Sequence, residues 1–188
     1  MNAFLVSFGV IFVAELGDKS QLMALAFATR YRARTILVGI TLATAFVHLF
    51  SVIVGAAVGA ALPTRAINVG AGIAFLGFAA WTLRGDSLDD DESDRVRKTN
   101  RSVLMAVAFA FFLAELGDKT MLATITLGTT NGLFGTWLGS TLGMVGADAL
   151  AIVVGQQLGT RLPERTIKIG AAISFVVFGV LLMFEGLR

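Results

Sequence analysis

Six apolar runs, separated by short polar segments, dominate the pattern of the chain. They cover residues 3–28, 35–61, 66–83, 102–127, 133–158 and 166–184. A helix needs about 20 mostly apolar residues to cross the hydrocarbon core of a bilayer, and each run is close to that length or longer. The runs do not alternate between polar and apolar positions, as the strands of a membrane β-barrel would. The pattern therefore predicts six transmembrane helices.

Composition supports this interpretation. Of the 188 residues, 56% are hydrophobic and 15% are charged, whereas a soluble domain is about 45–50% apolar and about 25% charged. The absence of cysteine excludes a disulfide-stabilised secreted fold. No basic patch interleaved with aromatic residues indicates binding to nucleic acid. We expect an all-α membrane protein whose main partner is the lipid bilayer.

The second half of the chain repeats the first with a constant offset of 100 positions. Residues 14–20, AELGDKS, match residues 114–120, AELGDKT, and Leu62-Pro63 matches Leu162-Pro163. This divides the chain into repeat one at 1–83, a charged linker at 84–101 and repeat two at 102–188. Each half has three predicted spans, so the second half enters the membrane from the opposite side. The expected fold is two inverted three-helix repeats, which is typical of secondary transporters.

Basic residues are distributed unequally between the two predicted faces. Eleven of the fifteen lie on one face, namely Arg30, Arg32, Arg34, Arg84, Arg95, Arg97, Lys98, Arg101, Arg161, Arg165 and Lys168. Only Arg65 and Arg188 lie on the other. The positive-inside rule then places the linker in the cytoplasm and both termini outside. The acidic run 89–92 within the linker is typical of a solvated, flexible segment, and a cation-gathering role is the alternative.

Each repeat places a block of charged side chains in the middle of its first apolar run. Glu15 lies about 12 residues into the run 3–28, which at 1.5 Å per residue is about 18 Å and near the centre of the bilayer core. Glu115 has the same position in the run 102–127. An ionisable group at that depth costs about 2.5–3.5 kcal/mol on insertion scales. Because this costly block of charged residues occurs in both repeats, it indicates a functional site.

The block offers two carboxylates and one ammonium group within five residues. In a continuous helix Glu15 and Asp18 would share a face, and Glu15 and Lys19 would have the spacing of an ion pair. Gly17 permits a local break of the helix, which would add backbone carbonyls as ligands. The candidate cation ligands are Glu15, Asp18, Glu115 and Asp118, and the supporting side chains are Lys19, Lys119, Ser20, Thr120 and Gln21.

The charges of the two blocks suit a divalent cation. Each block sums to −1, so two blocks that meet sum to −2. Carboxylates, hydroxyls and carbonyls are the oxygen ligands that Ca²⁺, Mg²⁺ and Mn²⁺ prefer. Met23 and Met121 could favour a softer ion such as Mn²⁺, although methionine in membrane helices is more often a packing residue. Purely structural ion pairs are the alternative, yet apolar replacements of such pairs are often neutral or stabilising.

His48 and Asp148 occupy equivalent positions of the two repeats, in the second and fifth apolar runs. Histidine and an intramembrane acid are residue types that relay protons. We therefore expect a proton-coupling or supporting role for this pair, with a buried structural histidine as the alternative. The glycine rows Gly55/Gly59, Gly135/Gly139/Gly143 and Gly155/Gly159 indicate close helix packing.

Two copies of Glu-x-Gly-Asp-(Lys/Arg)-(Ser/Thr) in spans one and four, joined by an acidic linker, resemble one transporter family. It is the uncharacterised-protein family that includes bacterial manganese exporters and the Golgi calcium/manganese–proton exchangers of eukaryotes. The resemblance covers essentially the whole chain, and residues 15–20 and 115–120 both fit the motif. It implies export of Mn²⁺ or Ca²⁺ against protons with the motif acids as ligands. Eukaryotic members carry an extra N-terminal segment, so the resemblance implies a bacterial inner-membrane protein here.

The leading hypothesis is a secondary transporter that exports a divalent cation from the cytoplasm in exchange for protons, by alternating access. The cation is substrate, and no cofactor is expected. A cation channel and an exporter of small basic solutes are the alternatives. No nucleophile–base pair or metal-protease motif predicts an enzyme. A homodimer is compatible with the sequence.

Overall fold

The chain is entirely helical in the part that the computed structural model describes, residues 2–84, 102–158 and 164–188, with the side chains of 156–158, 164 and 166–168 excepted. These ranges hold eight helices and no strand. The helices are α1 (Ala3–Glu15), α2 (Lys19–Ala28), α3 (Ala33–Ala61), α4 (Thr64–Arg84), α5 (Val103–Glu115), α6 (Lys119–Thr130), α7 (Leu133–Leu158) and α8 (Glu164–Leu187). The predicted all-α class is confirmed. The acidic run 89–92 lies outside the described residues.

Four helices are long and apolar enough to cross a membrane, namely α3, α4, α7 and α8. Their outward faces carry large apolar side chains such as Phe46, Ile53 and Ile173, each at least half exposed. Apolar surface of this extent is stable in lipid and unfavourable in water. The chain is therefore a multi-pass membrane protein.

The two runs predicted as spans one and four are each divided into two helices. Helix α1 ends at Glu15 and α2 begins at Lys19, and α5 and α6 are divided at the equivalent positions. The break contains a glycine with positive φ in each copy, 76° at Gly17 and 78° at Gly117. Only glycine adopts this backbone region at little cost. A continuous helix, which the ion-pair spacing of Glu15 and Lys19 required, is not formed there, and the break that Gly17 was expected to permit is present.

Most contacts join the first half of the chain to the second. Helix α4 packs on α8, α1 on α7, and α3 on α5, α6 and α7. Two of these contacts join residues whose numbers differ by 100, which is the offset between the repeats. Thr44 Oγ1 donates a hydrogen bond to Met144 Sδ at 3.3 Å, and the Phe75 and Phe175 ring centroids are 5.8 Å apart. The core is thus built between the halves rather than within either one.

Close approach of helix backbones confirms the packing role predicted for the first two glycine rows. A Cβ on Gly139 would collide with the carbonyl oxygen of Phe4, and one on Gly143 would come within 2.6 Å of that of Phe8. The contact moves from Phe4 to Phe8 along α1 as it moves from Gly139 to Gly143 along α7. The two helices therefore run parallel. In the same way Gly55 and Gly59 lie against the carbonyls of Ile125 and Thr129, so α3 runs parallel to α6. At Gly155 a Cβ would meet the Leu25 side chain, and Gly159 lies outside the described residues.

The chain directions define two ends of the molecule. Helix α6 turns back into α7 at residues 131–132, so α3, which is parallel to α6, is antiparallel to α7. Thr64, Asn131 and Arg188 line one cavity together with Val6. This end, which holds both termini, is named the termini face. The opposite end, with the 29–32 turn and Arg84, is named the linker face.

Replacing Gly55 by alanine is expected to lower the free energy of unfolding by about 1–3 kcal/mol, because the new methyl group collides with backbone of α6. Gly77→Ala is the matched control, since nothing lies within 4 Å of a Cβ there. Its expected effect is neutral or stabilising by up to about 1 kcal/mol. Thermal unfolding of the detergent-solubilised protein measures both. Equal shifts in the two variants would contradict the packing interpretation.

Candidate cation site

The two helix breaks bring four acidic side chains into the protein interior. Glu15 and Glu115 are the last residues of α1 and α5, and Asp18 and Asp118 are the N-caps of α2 and α6. All four are between 0% and 4% exposed. The local sequence explains this placement, since glycine adopts the positive φ that interrupts the helix and aspartate favours the N-cap position. Each break thus presents one glutamate and one aspartate from adjacent helix ends.

A buried ion pair joins the two repeats. Lys119 Nζ donates to Asp18 Oδ1 at 2.6 Å, and the two side chains are 3% and 0% exposed. Glu15 and Asp118 are further electrostatic neighbours of Lys119. The Glu15–Lys19 pair predicted from helical spacing presupposed a continuous helix, and the break removes that geometry. The lysine of repeat two instead contacts the aspartate of repeat one.

The two aspartates have different local roles. Asp118 caps α6 by accepting from the Thr120 backbone N–H at 3.5 Å. Asp18, at the equivalent position, makes no capping hydrogen bond with its side chain. The sequence motif is therefore the same in both repeats, while its hydrogen bonding is not.

The two glutamates also differ. Glu115 Oε2 accepts a hydrogen bond from Thr120 Oγ1 at 2.8 Å. Within the described residues, both carboxyl oxygens of Glu15 and the Ser20 hydroxyl have no hydrogen-bond partner, although all are buried. Buried polar atoms without a partner are rare in folded proteins and mark places where a ligand, an ion or water is bound. Among the four acids of the two motifs, Glu15 is therefore the one with neither oxygen in a hydrogen bond to the described residues.

Asp148 joins these acids. Glu15 has Glu115, Asp18, Asp148 and Asp118 as electrostatic neighbours, and Asp148 in turn is influenced by Asp18. Asp148 is fully buried, and neither of its oxygens has a hydrogen-bond partner in the described part of the chain. We name Glu15, Asp18, Glu115, Asp118 and Asp148 the carboxyl group. In the described ranges, no three histidine, cysteine or acidic side chains are close enough to hold a metal ion together.

Gln21 and Met121 stabilise the two breaks in different ways. Gln21 Oε1 accepts from the Gly17 N–H at 2.8 Å, and its Nε2 donates to the Ala147 carbonyl at 2.9 Å. It thereby ties the first break to α7, beside Asp148. At the second break Met121 Sδ accepts from the Gly117 N–H at 3.2 Å. Both side chains bind backbone, so neither is a cation ligand in this arrangement.

His48 lies apart from the carboxyl group. It is fully buried, and neither ring nitrogen has a hydrogen-bond partner among the described residues. Asp148, its equivalent in repeat two, has Asp18 rather than His48 as the charged group acting on it. Because α3 and α7 are antiparallel and touch at Thr44 and Met144, His48 and Asp148 lie one turn to opposite sides of that contact. Sequence reasoning also missed three buried hydroxyl residues, Ser7, Thr136 and Ser140, whose only signal was their polarity within apolar runs.

Comparison with known proteins finds a family match in both halves of the chain. A family described as "Divalent cation/proton antiporter GDT1" matches residues 3–90 and 103–188. Each matched segment contains one complete helix break with its acidic motif.

Individual relatives cover nearly the full chain. The protein named "Putative manganese exporter" from Vibrio cholerae is 33% identical over 187 residues, which is 98% of this chain and 92% of that protein. "GDT1-like protein sll0615" from Synechocystis is 30% identical over 198 residues, which is 96% of each chain. "Protein PAM71, chloroplastic" from Arabidopsis thaliana is 29% identical, over 98% of this chain and 57% of that one. No solved structure matches. On the two matched segments and these relatives, the chain belongs to the GDT1 family of divalent cation/proton antiporters.

Proposed function

We propose that the protein exports Mn²⁺, Ca²⁺ or both from the cytoplasm in exchange for protons, by alternating access. The observation that carries this proposal is the Lys119–Asp18 pair at 2.6 Å, buried among carboxylates of both repeats. A buried charge that loses its partner is strongly destabilised. The acids must therefore always be neutralised, by the lysine, by protons or by the cation. Competition between these three for the same oxygens is the basis of exchange.

The proposed architecture is six crossings in two inverted repeats, 1–83 and 102–188, joined by the linker 84–101. The pairs α1–α2 and α5–α6 each form one interrupted crossing, and α3, α4, α7 and α8 form the other four. Support comes from the equal positions of the two breaks, from the Thr44–Met144 and Phe75–Phe175 contacts and from the two matched family segments. Interrupted helices at the centre of inverted repeats are where secondary transporters bind substrate.

The proposed cation ligands are Glu15, Asp18, Glu115 and Asp118. Oxygen ligands of this kind favour Mn²⁺ and Ca²⁺ over softer metals, and the Vibrio cholerae relative is named for manganese export. Asp148 is an additional acid for the cation or for a proton. In the described arrangement Lys119 holds Asp18, so cation binding requires the lysine to leave and the acids to converge. That rearrangement links binding of the cation to the step in which the site changes from facing one side of the membrane to facing the other.

Topology follows from the proposed orientation in a bacterial inner membrane, with the linker face in the cytoplasm. Because the chain has no cysteine, single cysteines report accessibility directly. Thr64→Cys and Ser102→Cys are both at exposed positions, on opposite faces. Thr64→Cys is expected to react with an impermeant maleimide in intact spheroplasts, and Ser102→Cys only after lysis. The reverse pattern would refute the orientation.

Transport is tested in proteoliposomes with an imposed pH gradient and a panel of divalent ions. Glu15→Gln and Glu115→Gln are each expected to lower the initial rate of Mn²⁺ or Ca²⁺ flux at least about tenfold, because tenfold corresponds to about 1.4 kcal/mol and each loses a charged ligand. Glu185→Gln, at an exposed position of α8, is the matched control and is expected to transport normally.

The same experiment separates the alternatives. Undiminished flux in both variants would refute the site. A cation flux whose rate does not change with the pH gradient at a clamped voltage would indicate a channel. Inhibition by basic amino acids, with no metal transported, would indicate a solute exporter.

The interrepeat ion pair is tested by stability as well as by flux. Lys119→Met is expected to lower the free energy of unfolding by about 3–5 kcal/mol, because it leaves a buried carboxylate without its lysine. Adding Asp18→Asn is expected to restore most of that stability while transport stays absent. Thermal unfolding and flux assays of both variants measure this. A Lys119→Met variant as stable as the parent would contradict the inferred role of the pair.

A further inference from the structure

A group of buried polar side chains lies outside the carboxyl group and has no role in the mechanism so far. It consists of Ser7 on α1, His48 on α3, and Thr136 and Ser140 on α7, all 0% exposed. Within the described residues, the Ser7 and Thr136 hydroxyls and both ring nitrogens of His48 have no hydrogen-bond partner. Ser140 Oγ donates to the Trp137 carbonyl at 3.1 Å and keeps its capacity to accept. These four side chains are named the hydroxyl track.

Helix packing brings the track together in the half of the protein nearer the termini face. Helices α1 and α7 run parallel with Phe8 against Gly143, which places Ser7 near the level of Ser140. Helices α3 and α7 are antiparallel and touch at Thr44 and Met144. His48 is one turn beyond Thr44 and Ser140 one turn before Met144, so these two also lie at one level. Thr136 lies a further turn toward the termini face.

The other repeat provides a comparison within the same molecule. The positions equivalent to Ser7, Thr136 and Ser140 are Val107, Ile36 and Ile40. These are also 0% exposed. At these three positions the half nearer the linker face carries apolar side chains, whereas the half nearer the termini face carries hydroxyls. The equivalent of the fourth track residue, His48, is the buried Asp148 of the carboxyl group.

The track is separate from the open cavity at the termini face. That cavity, of about 660 Å³, lies between α1, α4, α6 and α8 and is lined by Val6, Asn68, Thr126 and Glu185 among others. None of the four track residues lines it. Val6 and Ser7 are neighbours in sequence, and in a helix they point about 100° apart. The track and the cavity are therefore two distinct features of the half nearer the termini face.

We propose that the hydroxyl track is a hydrated proton path that joins the carboxyl group to the termini face, a proposal that rests on the proposed exchange function. Buried polar groups without protein partners bind water. Hydroxyls, a neutral imidazole and water each donate and accept, so a proton entering at Thr136 passes along the row while each group returns to its original state. The four track residues include no carboxylate that would neutralise a divalent cation, so the proposal assigns the row to protons.

His48 is the only titratable member of the track. The charged side chains on the helices packed against α3, in the described residues, are Lys19 of α2, Glu115 of α5, Lys119 of α6 and Asp148 of α7. Glu15 on α1 is eight residues, or about 12 Å, beyond Ser7 toward the linker face, and water completes the proposed path over that distance. The acids are the destination of the proton, and His48 and the hydroxyls are its route.

The test separates proton transfer from cation binding. The triple variant Ser7→Ala/Thr136→Val/Ser140→Ala removes the hydroxyls with little change in volume. Thr82→Val is the matched control, because Thr82 is also buried with a hydroxyl that has no partner in the described residues, and it lies near the linker face. Proteoliposomes with an internal pH dye and a Mn²⁺ dye record both ions, and equilibrium Mn²⁺ binding is measured in detergent.

The triple variant is expected to lose at least tenfold in the rate of coupled Mn²⁺ and proton movement while its Mn²⁺ affinity stays within twofold. His48→Gln keeps a side chain that can form hydrogen bonds but does not relay a proton. It is expected to show the same loss of rate with the same Mn²⁺ affinity, and it replaces the triple variant in the test if that variant does not fold. Thr82→Val is expected to match the parent. Parental rates in His48→Gln and the triple variant, or a loss of Mn²⁺ affinity equal to the loss of rate, would overturn the proton path. A parent protein that moves no protons with Mn²⁺ would instead overturn the proposed function.

Discussion

Neutralisation of buried charge is the constraint on which the rest of the structure depends. Five carboxyl side chains lie in the interior of a chain whose surface is largely apolar, where an uncompensated charge costs several kcal/mol. The Lys119–Asp18 pair meets part of this requirement across the boundary between the repeats. The same pair therefore joins the two halves and balances the charge of one acid. It is both a structural contact and part of the proposed site.

The helix breaks explain how so many charges reach one place. A continuous helix would display its charged side chains along its length, on successive turns. The break at Gly17 and Gly117, where φ is positive, instead ends one helix and starts another, so a glutamate and an aspartate come from adjacent helix ends. The N-terminus of the second helix favours the negative charge of its aspartate. Close glycine contacts then allow α1 and α7, or α3 and α6, to pack with little space between them.

Sequence patterns predicted the helical class, the long helices and the repeated acidic motif, because these depend on local composition and on an exact internal offset. They did not predict which charges pair. The Glu15–Lys19 pair was inferred from helical spacing, and the break removes that spacing, so Lys119 reaches Asp18 of the other repeat. Asp148 was grouped with His48 by alignment, but tertiary packing places it among the acids. Buried hydroxyls such as Ser7 had no signal beyond polarity in an apolar run. Pairing and burial depend on contacts between segments that are far apart in the chain. The local pattern of a single sequence does not reveal those contacts.

The interleaving of the halves has a consequence for biosynthesis. Helices α1 and α2 leave the ribosome long before α7, against which they pack, and the lysine that contacts Asp18 is made 101 residues later. The first three apolar segments therefore enter the membrane before their packing partners exist. Packing between the halves is therefore completed only after the second half has been made, and until then the acids of the first half lack the lysine that neutralises Asp18 in the folded chain.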